Sequence, residues 1–456
     1  MDLLGAASLP FLTRRNYYYE FKQIIPWSVL AGVVEGQFAS VVVSKSFHGS
    51  PLLIAIATAT PVAAFISSLV WGMLCVGRPK IRLLTFFTAG TALCAGIAGA
   101  VPTSGVGAVW FIAQVAAAQV LAAGVVTVRS AVWRSNYPRE VRGRITAGLQ
   151  RVRFIVSVLT VLLAAAICDR DPMSYRYIFP VAAAVGLVAA WMTRRLHIRG
   201  ERSMLERHGQ PLPDGDLRRG LAEPFSLTTL ISPGHVLGQM VRVLRNDRRF
   251  MLYCVAQFFV GVANLMTISI VAVAITRDLP FGETWGFWVS TALLVALPQL
   301  VVLGSLERWG RLFDRLGVLR FRVINVALWT VSILMGMLAT LVAVGLDELN
   351  PIYFPVAVGL FVLRSIFYGL GRAGGALAWH LGHLHFARPE EAEIYMGIHV
   401  SFTGFRGLVA PLGGIWLWQT IGWPVWLIAL TFSLVSLALY GAMARQEGRT
   451  GEPDSL

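Results

Sequence analysis

Twelve apolar stretches, each about the length that crosses a bilayer as a helix, run through this sequence of 456 residues and dominate what it can fold into. They lie at about 24–44, 52–74, 83–101, 107–130, 152–168 and 177–193, then at about 250–275, 285–306, 322–345, 353–379, 397–419 and 424–443, and are numbered spans 1 to 12. Inside hydrocarbon a backbone must satisfy its own hydrogen bonds, so such stretches are helices. With 56% hydrophobic and 14% charged residues, against about 25% charged in soluble domains, a water-soluble globule is excluded. The four cysteines, Cys75, Cys94, Cys168 and Cys254, stand singly in or beside apolar runs and read as packing residues.

The longest interruption divides the chain into an N-terminal half (1–193), a linker (194–249) and a C-terminal half with a short tail (250–456). In the linker, Ser232-Pro233 is a helix-start signal, and Val236, Leu237, Met240, Val241 and Leu244 then share one face, as in a helix lying at a membrane surface. Basic residues exceed acidic ones by 39 to 24. On one side of the membrane only Lys45, Arg170, Arg176 and Arg277 are found; apart from Arg364 and Arg406, within spans, all the others lie on the opposite side. That bias places the linker and both termini in the cytoplasm, with Arg14, Arg15 and Lys22 preceding an uncleaved first span. The net charge of +15 is thereby read as an inner-surface charge facing anionic lipid headgroups, not as a nucleic-acid footprint.

The halves echo one another: Arg129-Ser-Ala-Val-Trp133 closes span 4 as Gly375-Ala-Leu-Ala-Trp379 closes span 10, and Gly148 and Gly397 stand at the next spans. Between spans 8 and 9 stands Gly310-Arg311-Leu312-Phe313-Asp314-Arg315-Leu316-Gly317. This run resembles the G-x-L-a-D-R-x-G signature of the major facilitator superfamily, and span order and loop lengths agree over about residues 20–445. The resemblance implies an all-α polytopic membrane protein with twelve transmembrane helices in two pseudo-symmetric six-helix halves. It also implies a central cavity lined by spans 1, 4, 7 and 10, and a cytoplasmic gate at this loop. The glycines permit a tight turn, and Asp314 can accept hydrogen bonds at a helix N-terminus. Gly310, Asp314, Arg315 and Gly317 are thus gate residues, with Arg142 and Arg144 at the start of span 5 as partners. The matching first-half loop, Gly72 to Lys80, carries Val76 where the acid would stand.

Ionisable groups are costly inside a bilayer and are default functional candidates. Glu35, flanked by Gly32 and Gly36, lies past the middle of span 1. Low dielectric favours the neutral acid, a property a proton-coupling site needs; helix packing or a pair with Arg364 or Arg406 is the structural alternative. His399, Thr403 and Arg406 share one face of span 11, suited to an anion or to bonding between helices. Gln37, Gln119 and Asn264 fit cavity lining or interhelical bonding. In Trp379-His380-Leu-Gly-His383-Leu-His385 the i, i+3 spacing can converge on a metal, but with no Cys and no H-x-x-x-H pair the histidines read as satisfying backbone groups or responding to pH.

No phosphate loop, nucleophile elbow or H-E-x-x-H is found, so the chain reads as no enzyme and ATP-driven transport is not expected. The expected function is secondary active transport of a small solute, anionic or amphipathic, by alternating access in the cytoplasmic (inner or plasma) membrane. Protons are the candidate coupling ion. Lipids are the surrounding partner, no cofactor or metal is expected, and the chain reads as a monomer. The alternative is a non-transporting receptor, scaffold or assembly factor on the same fold.

Overall fold

The computed structural model describes residues 11–35, 37–68, 70–71, 78–104, 106–137, 139–198, 233–279, 286–344, 353–387 and 392–450. The first-half loop around Val76 and most of the linker, including Ser232, lie outside the described residues. Among the described residues, nine helices are long and apolar enough to cross a membrane. One of these, Gly286–Ala343, is spans 8 and 9 joined end to end; span 1 is a bent helix pair, and span 2 is the shorter helix Pro51–Ser67. Counted this way, every one of the twelve expected spans has its helix.

Three local features depart from a simple reading of twelve rods. Span 1 starts earlier than its hydropathy suggests, at Phe11, runs to Val34, and resumes as a second helix, Phe38–Lys45. Span 5 belongs to a helix that already begins at Arg139, well before the apolar run, and ends at Arg170. The signature run between spans 8 and 9 is helical up to a single break, Gly317, at φ 67° and ψ 173°. Only glycine occupies that backbone region readily. Gly310, expected to share the turn, is instead an ordinary helical residue with open space where a side chain would project. Trp309 and Phe313 both pack on Phe321, at 5.1 and 5.0 Å between ring centroids, bracketing the turn with aromatic contacts.

By contacts the chain separates into two compact units. The first comprises Met1–Gly36, Ser67–Thr160 and Ser174–Val236. Within it, span 3 packs on spans 4 and 6, and span 1 on span 6. Small residues set these approaches, since association in lipid rests on close packing: a side-chain carbon at Gly124 would sit 2.8 Å from the Phe87 ring, and one at Gly96 3.2 Å from Ala183. Phe111 stacks edge-on against Tyr175 and Phe179, and the Tyr175 hydroxyl donates to the Val101 carbonyl at 2.8 Å.

The second unit comprises Gln37–Ile66, Val161–Met173 and Leu237–Leu456, so it includes pieces of spans 1, 2 and 5. Span 11 lies on spans 7 and 2. Gly404 and Gly407 make the latter contact possible, because side chains there would come within 2.7 Å of the Ile66 nitrogen and 2.8 Å of the Val62 carbonyl carbon. At the end of span 5, Asp169 accepts hydrogen bonds from the backbone N–H groups of Phe287 (2.7 Å) and Trp288 (2.9 Å). It thus caps the helix that opens span 8, where an anion is favoured by the helix dipole. The linker helix spans Pro233–Asn246. Asp247 follows at once and caps span 7, accepting from the Phe250 N–H at 2.8 Å.

Gly317→Ala is expected to lower folding stability by about 1–3 kcal/mol through strain, whereas Gly310→Ala, at a helical position with open space, should stay within about 0.5 kcal/mol of the wild type or above it. Unfolding midpoints of the two purified variants in one detergent check both outcomes.

Candidate functional site

The break in span 1 creates a polar site within the first unit. Ending a helix at Val34 removes hydrogen-bond partners from its last carbonyls, and no bulk water is at hand inside a membrane to replace them. Gln119 of span 4, 3% exposed, supplies one: its Nε2 donates to the Val34 carbonyl at 2.7 Å. Glu35 occupies the turn itself, and its Oε2 pairs with Nη2 of Arg153 from span 5. Span 5 comes close because Gly32 has no side chain; a carbon there would sit 3.1 Å from the Ser157 carbonyl oxygen. Both charged groups are part-buried, and the other oxygen of Glu35 has no hydrogen-bond partner.

Toward the start of span 1, a second layer forms that hydropathy alone does not reveal. Glu20 and Arg129 are both buried. Glu20 accepts from the Trp133 indole N–H at 2.6 Å, and Arg129 donates to Gln23 Oε1 at 2.9 Å while lying 5.7 Å from the Trp27 ring centroid. The apolar window of span 1 begins at residue 24, after Glu20 and Gln23, and Arg129 stands at the very end of the span 4 window, so these groups do not stand out as intramembrane charges. The helices extend past the windows and bury them.

In the second unit, polar groups gather around Gln257 of span 7. Its side-chain oxygen accepts from Arg322 Nη2 and from the Tyr440 hydroxyl, the latter at 3.2 Å. Its backbone carbonyl accepts from Arg406 Nη1. Arg406 reaches that carbonyl because Gly261 leaves room; any side chain at 261 would occupy the guanidinium's place. The face expected on span 11 is present: Thr403 Oγ1 donates to the His399 carbonyl at 3.0 Å and accepts from Arg406 Nη2 at 3.4 Å and Trp379 Nε1 at 3.3 Å. His399 sits among the rings of Trp379 and Tyr253, at 6.0 and 6.3 Å. Among the described residues no carboxylate forms an ion pair with Arg322 or Arg406, and the Nε of each is buried without a hydrogen-bond partner. Arg322, 1% exposed, reads from sequence as a loop charge; the helix after Gly317 buries it in its second turn.

The remaining candidates are placed elsewhere. Arg364 lies against span 9, its Cγ beside Gly336 and its guanidinium 4.5 Å from the Tyr368 ring centroid, so it pairs with neither Glu35 nor span 11. Asn264 bonds to its own helix at the Val260 carbonyl, 2.9 Å away. Gln37 begins the second piece of span 1 with a buried side-chain oxygen lacking a partner. Asp314 and Arg315 are exposed on the helix before Gly317, and Asp314 accepts no hydrogen bond from a described residue. Arg142 and Arg144 lie in the helix Arg139–Arg170; their side chains are outside the described residues. His385, from the histidine-rich end of span 10, pairs with Glu447 at 2.9 Å.

With this geometry established, comparison with known proteins is informative. The chain matches the Major Facilitator Superfamily over residues 28–377. Its fold is similar to crystal structures of a mutant of the nucleoside transporter NupG (TM-score 0.63, 14% identity, covering 95% of this chain and 99% of that one). It is also similar to a mutant of the peptide transporter POT in complex with sulfate (0.63, 15%, covering 96% and 98%). A third similar structure is the xylose transporter XylE from E. coli in a partially occluded inward-open conformation (0.58, 13%, covering 94% and 97%). Among curated proteins none matches the chain in sequence.

A double-mutant cycle over Glu35→Gln and Arg153→Gln should give a coupling energy of about 0.5–3 kcal/mol in unfolding free energy. Each single substitution strands the other group's charge or donors, so the double variant should be more stable than the sum of the two single losses. Strict additivity would show that the pair does not form.

Proposed function

Because the chain belongs to the major facilitator superfamily of multi-pass membrane transporters, we propose that it is a secondary active transporter that moves a small solute by alternating access, coupled to protons through Glu35. The observation that carries the coupling is the Glu35–Arg153 pair at the break in span 1. A proton on Glu35 discharges the pair and removes its Coulombic attraction to Arg153. Conformations in which Glu35 and Arg153 are apart then gain relative to the paired one, and a differential preference of this kind is what a coupling ion must supply. Gln119 supports the role by holding the broken end of the helix in place without charge.

The solute is anionic or amphipathic. Arg406 and Arg322 lack carboxylate partners among the described residues, and each has an unused Nε donor, while His399 and Thr403 share the Arg406 face. A bidentate guanidinium contact favours a carboxylate or phosphate group on the solute. The transporter works as a monomer in the cytoplasmic membrane with both termini inside, its halves 1–193 and 250–456 moving about the linker 194–249. Gly310, Asp314, Arg315 and Gly317 act with Arg142 and Arg144 as its cytoplasmic gate. A second reading, a receptor or scaffold that does not cycle, draws on the valine at position 76 in place of an acid and on the exposed Asp314. A scaffold would show one fixed pattern of cysteine accessibility from the two sides of the membrane, whereas a transporter shows two exchanging patterns.

A thermal-shift screen of organic anions on purified protein identifies the solute by mass action, and proteoliposomes with an imposed pH gradient then test transport. Glu35→Gln is expected to lose uphill accumulation while keeping downhill exchange; full accumulation by this variant would remove the coupling role. Arg406→Gln should weaken solute binding about ten- to a hundredfold, the worth of a charged hydrogen bond. A screen in which no solute is bound or moved, with or without the gradient, would favour the scaffold.

A further inference from the structure

The charged junction between the linker helix and span 7 lies beside an apolar groove that the transport reading does not use. The groove has a volume of about 290 Å³ and is lined by Leu244 of the linker helix, Met251, Val255 and Phe258 of span 7, and Phe402 and Phe405 of span 11. Its floor is aromatic: Phe258 stands edge-on to Phe402 at 6.1 Å and stacks on Phe405 at 6.5 Å. The groove faces outward, with Phe405 55% and Val255 38% exposed. Arg242 and Arg245 flank the lining residue Leu244 along the linker helix, Arg248 and Arg249 precede the lining residue Met251, and all four are exposed.

These arginines and the groove together call for a ligand with a charged end and an apolar tail. Arg248 and Arg249 occupy the first turn of span 7, where the helix dipole favours anions and a cation is misplaced. Asp247, the neighbouring acid, has its two oxygens engaged by the Phe250 N–H and the Tyr395 hydroxyl. From Arg248 to Phe258 is ten residues of helix, about 15 Å at 1.5 Å per residue. That is half of a hydrocarbon core of about 30 Å, the depth of one leaflet. Span 11 presents Phe402 and Phe405 on the same groove, so the apolar floor is shared by two spans.

We infer that this junction is a binding site for an anionic phospholipid, its phosphate on Arg242, Arg245 and Arg248 and one acyl chain along the groove between spans 7 and 11. The lipid links the linker helix to span 7 and places an anion where the helix dipole favours one. The inference requires only that the chain spans a membrane and does not depend on the transport reading.

The test is native mass spectrometry of the full chain in neutral detergent, offered equal amounts of phosphatidylglycerol and phosphatidylcholine with identical acyl chains. Wild-type protein should retain phosphatidylglycerol about tenfold over phosphatidylcholine. The triple variant Arg242→Gln, Arg245→Gln, Arg248→Gln should lose that preference, and Val255→Trp, which fills the groove but keeps the arginines, should lose bound lipid of both kinds. Equal retention of the two lipids by wild type would overturn the site, as would an undiminished preference in the triple variant, which would place the headgroup elsewhere on the basic inner surface. Wild-type retention by Val255→Trp would show charge attraction without a groove, and displacement of the lipid by glycerol phosphate alone would show a site for free phosphate esters; either result also overturns it.

Discussion

Within a bilayer a backbone carbonyl that loses its helical partner has no bulk water to turn to, and the architecture of the first unit follows from how one such carbonyl is met. Span 1 breaks after Val34, and Gln119 reaches across from span 4 to close the Val34 carbonyl. With that bond made, the turn can hold Glu35, and Gly32 lets span 5 approach closely enough for Arg153 to pair with it. An unmet buried carbonyl costs about 1–3 kcal/mol, comparable to the energy that separates conformations of a protein able to switch. A neutral amide is therefore the right group for the task, since its bond does not depend on protonation and stays in place when the neighbouring carboxyl changes charge.

The second unit meets the same constraint with permanent charges and neutral acceptors. Arg322 and Arg406 both converge on Gln257, one on its side chain and one on its backbone, with Asn325, Tyr440 and Thr403 completing the set. A carboxylate in place of these acceptors would form stronger pairs, but it would also neutralise the site. Donating to oxygen dipoles spreads the stabilisation over several helices while leaving net positive charge inside the unit. Gly261 is part of this solution, because the guanidinium of Arg406 fills the volume that any other residue would take.

Much of this was legible in the sequence, and the limits have a common physical cause. Hydropathy locates the twelve spans because the bilayer enforces length and apolarity, and the run from Gly310 to Gly317 marks the turn that Gly317 makes. Helical periodicity on span 11 brings His399, Thr403 and Arg406 to one face because the helix is regular there. Hydropathy does not flag Glu20, Arg129 and Arg322 because they stand at or beyond the edges of apolar runs, while backbone bonding carries each helix past those edges and buries them. Pairing across helices is invisible to periodicity for a further reason. Arg153 lies over a hundred residues from Glu35, and only the close approach at Gly32 brings them together.

The two polar clusters therefore differ in kind. In the first unit a carboxyl faces a cation at a break in a helix, so its charge is balanced by one partner at one point. In the second unit the arginines donate to amide, hydroxyl and backbone oxygens, and no carboxylate among the described residues offsets their charge.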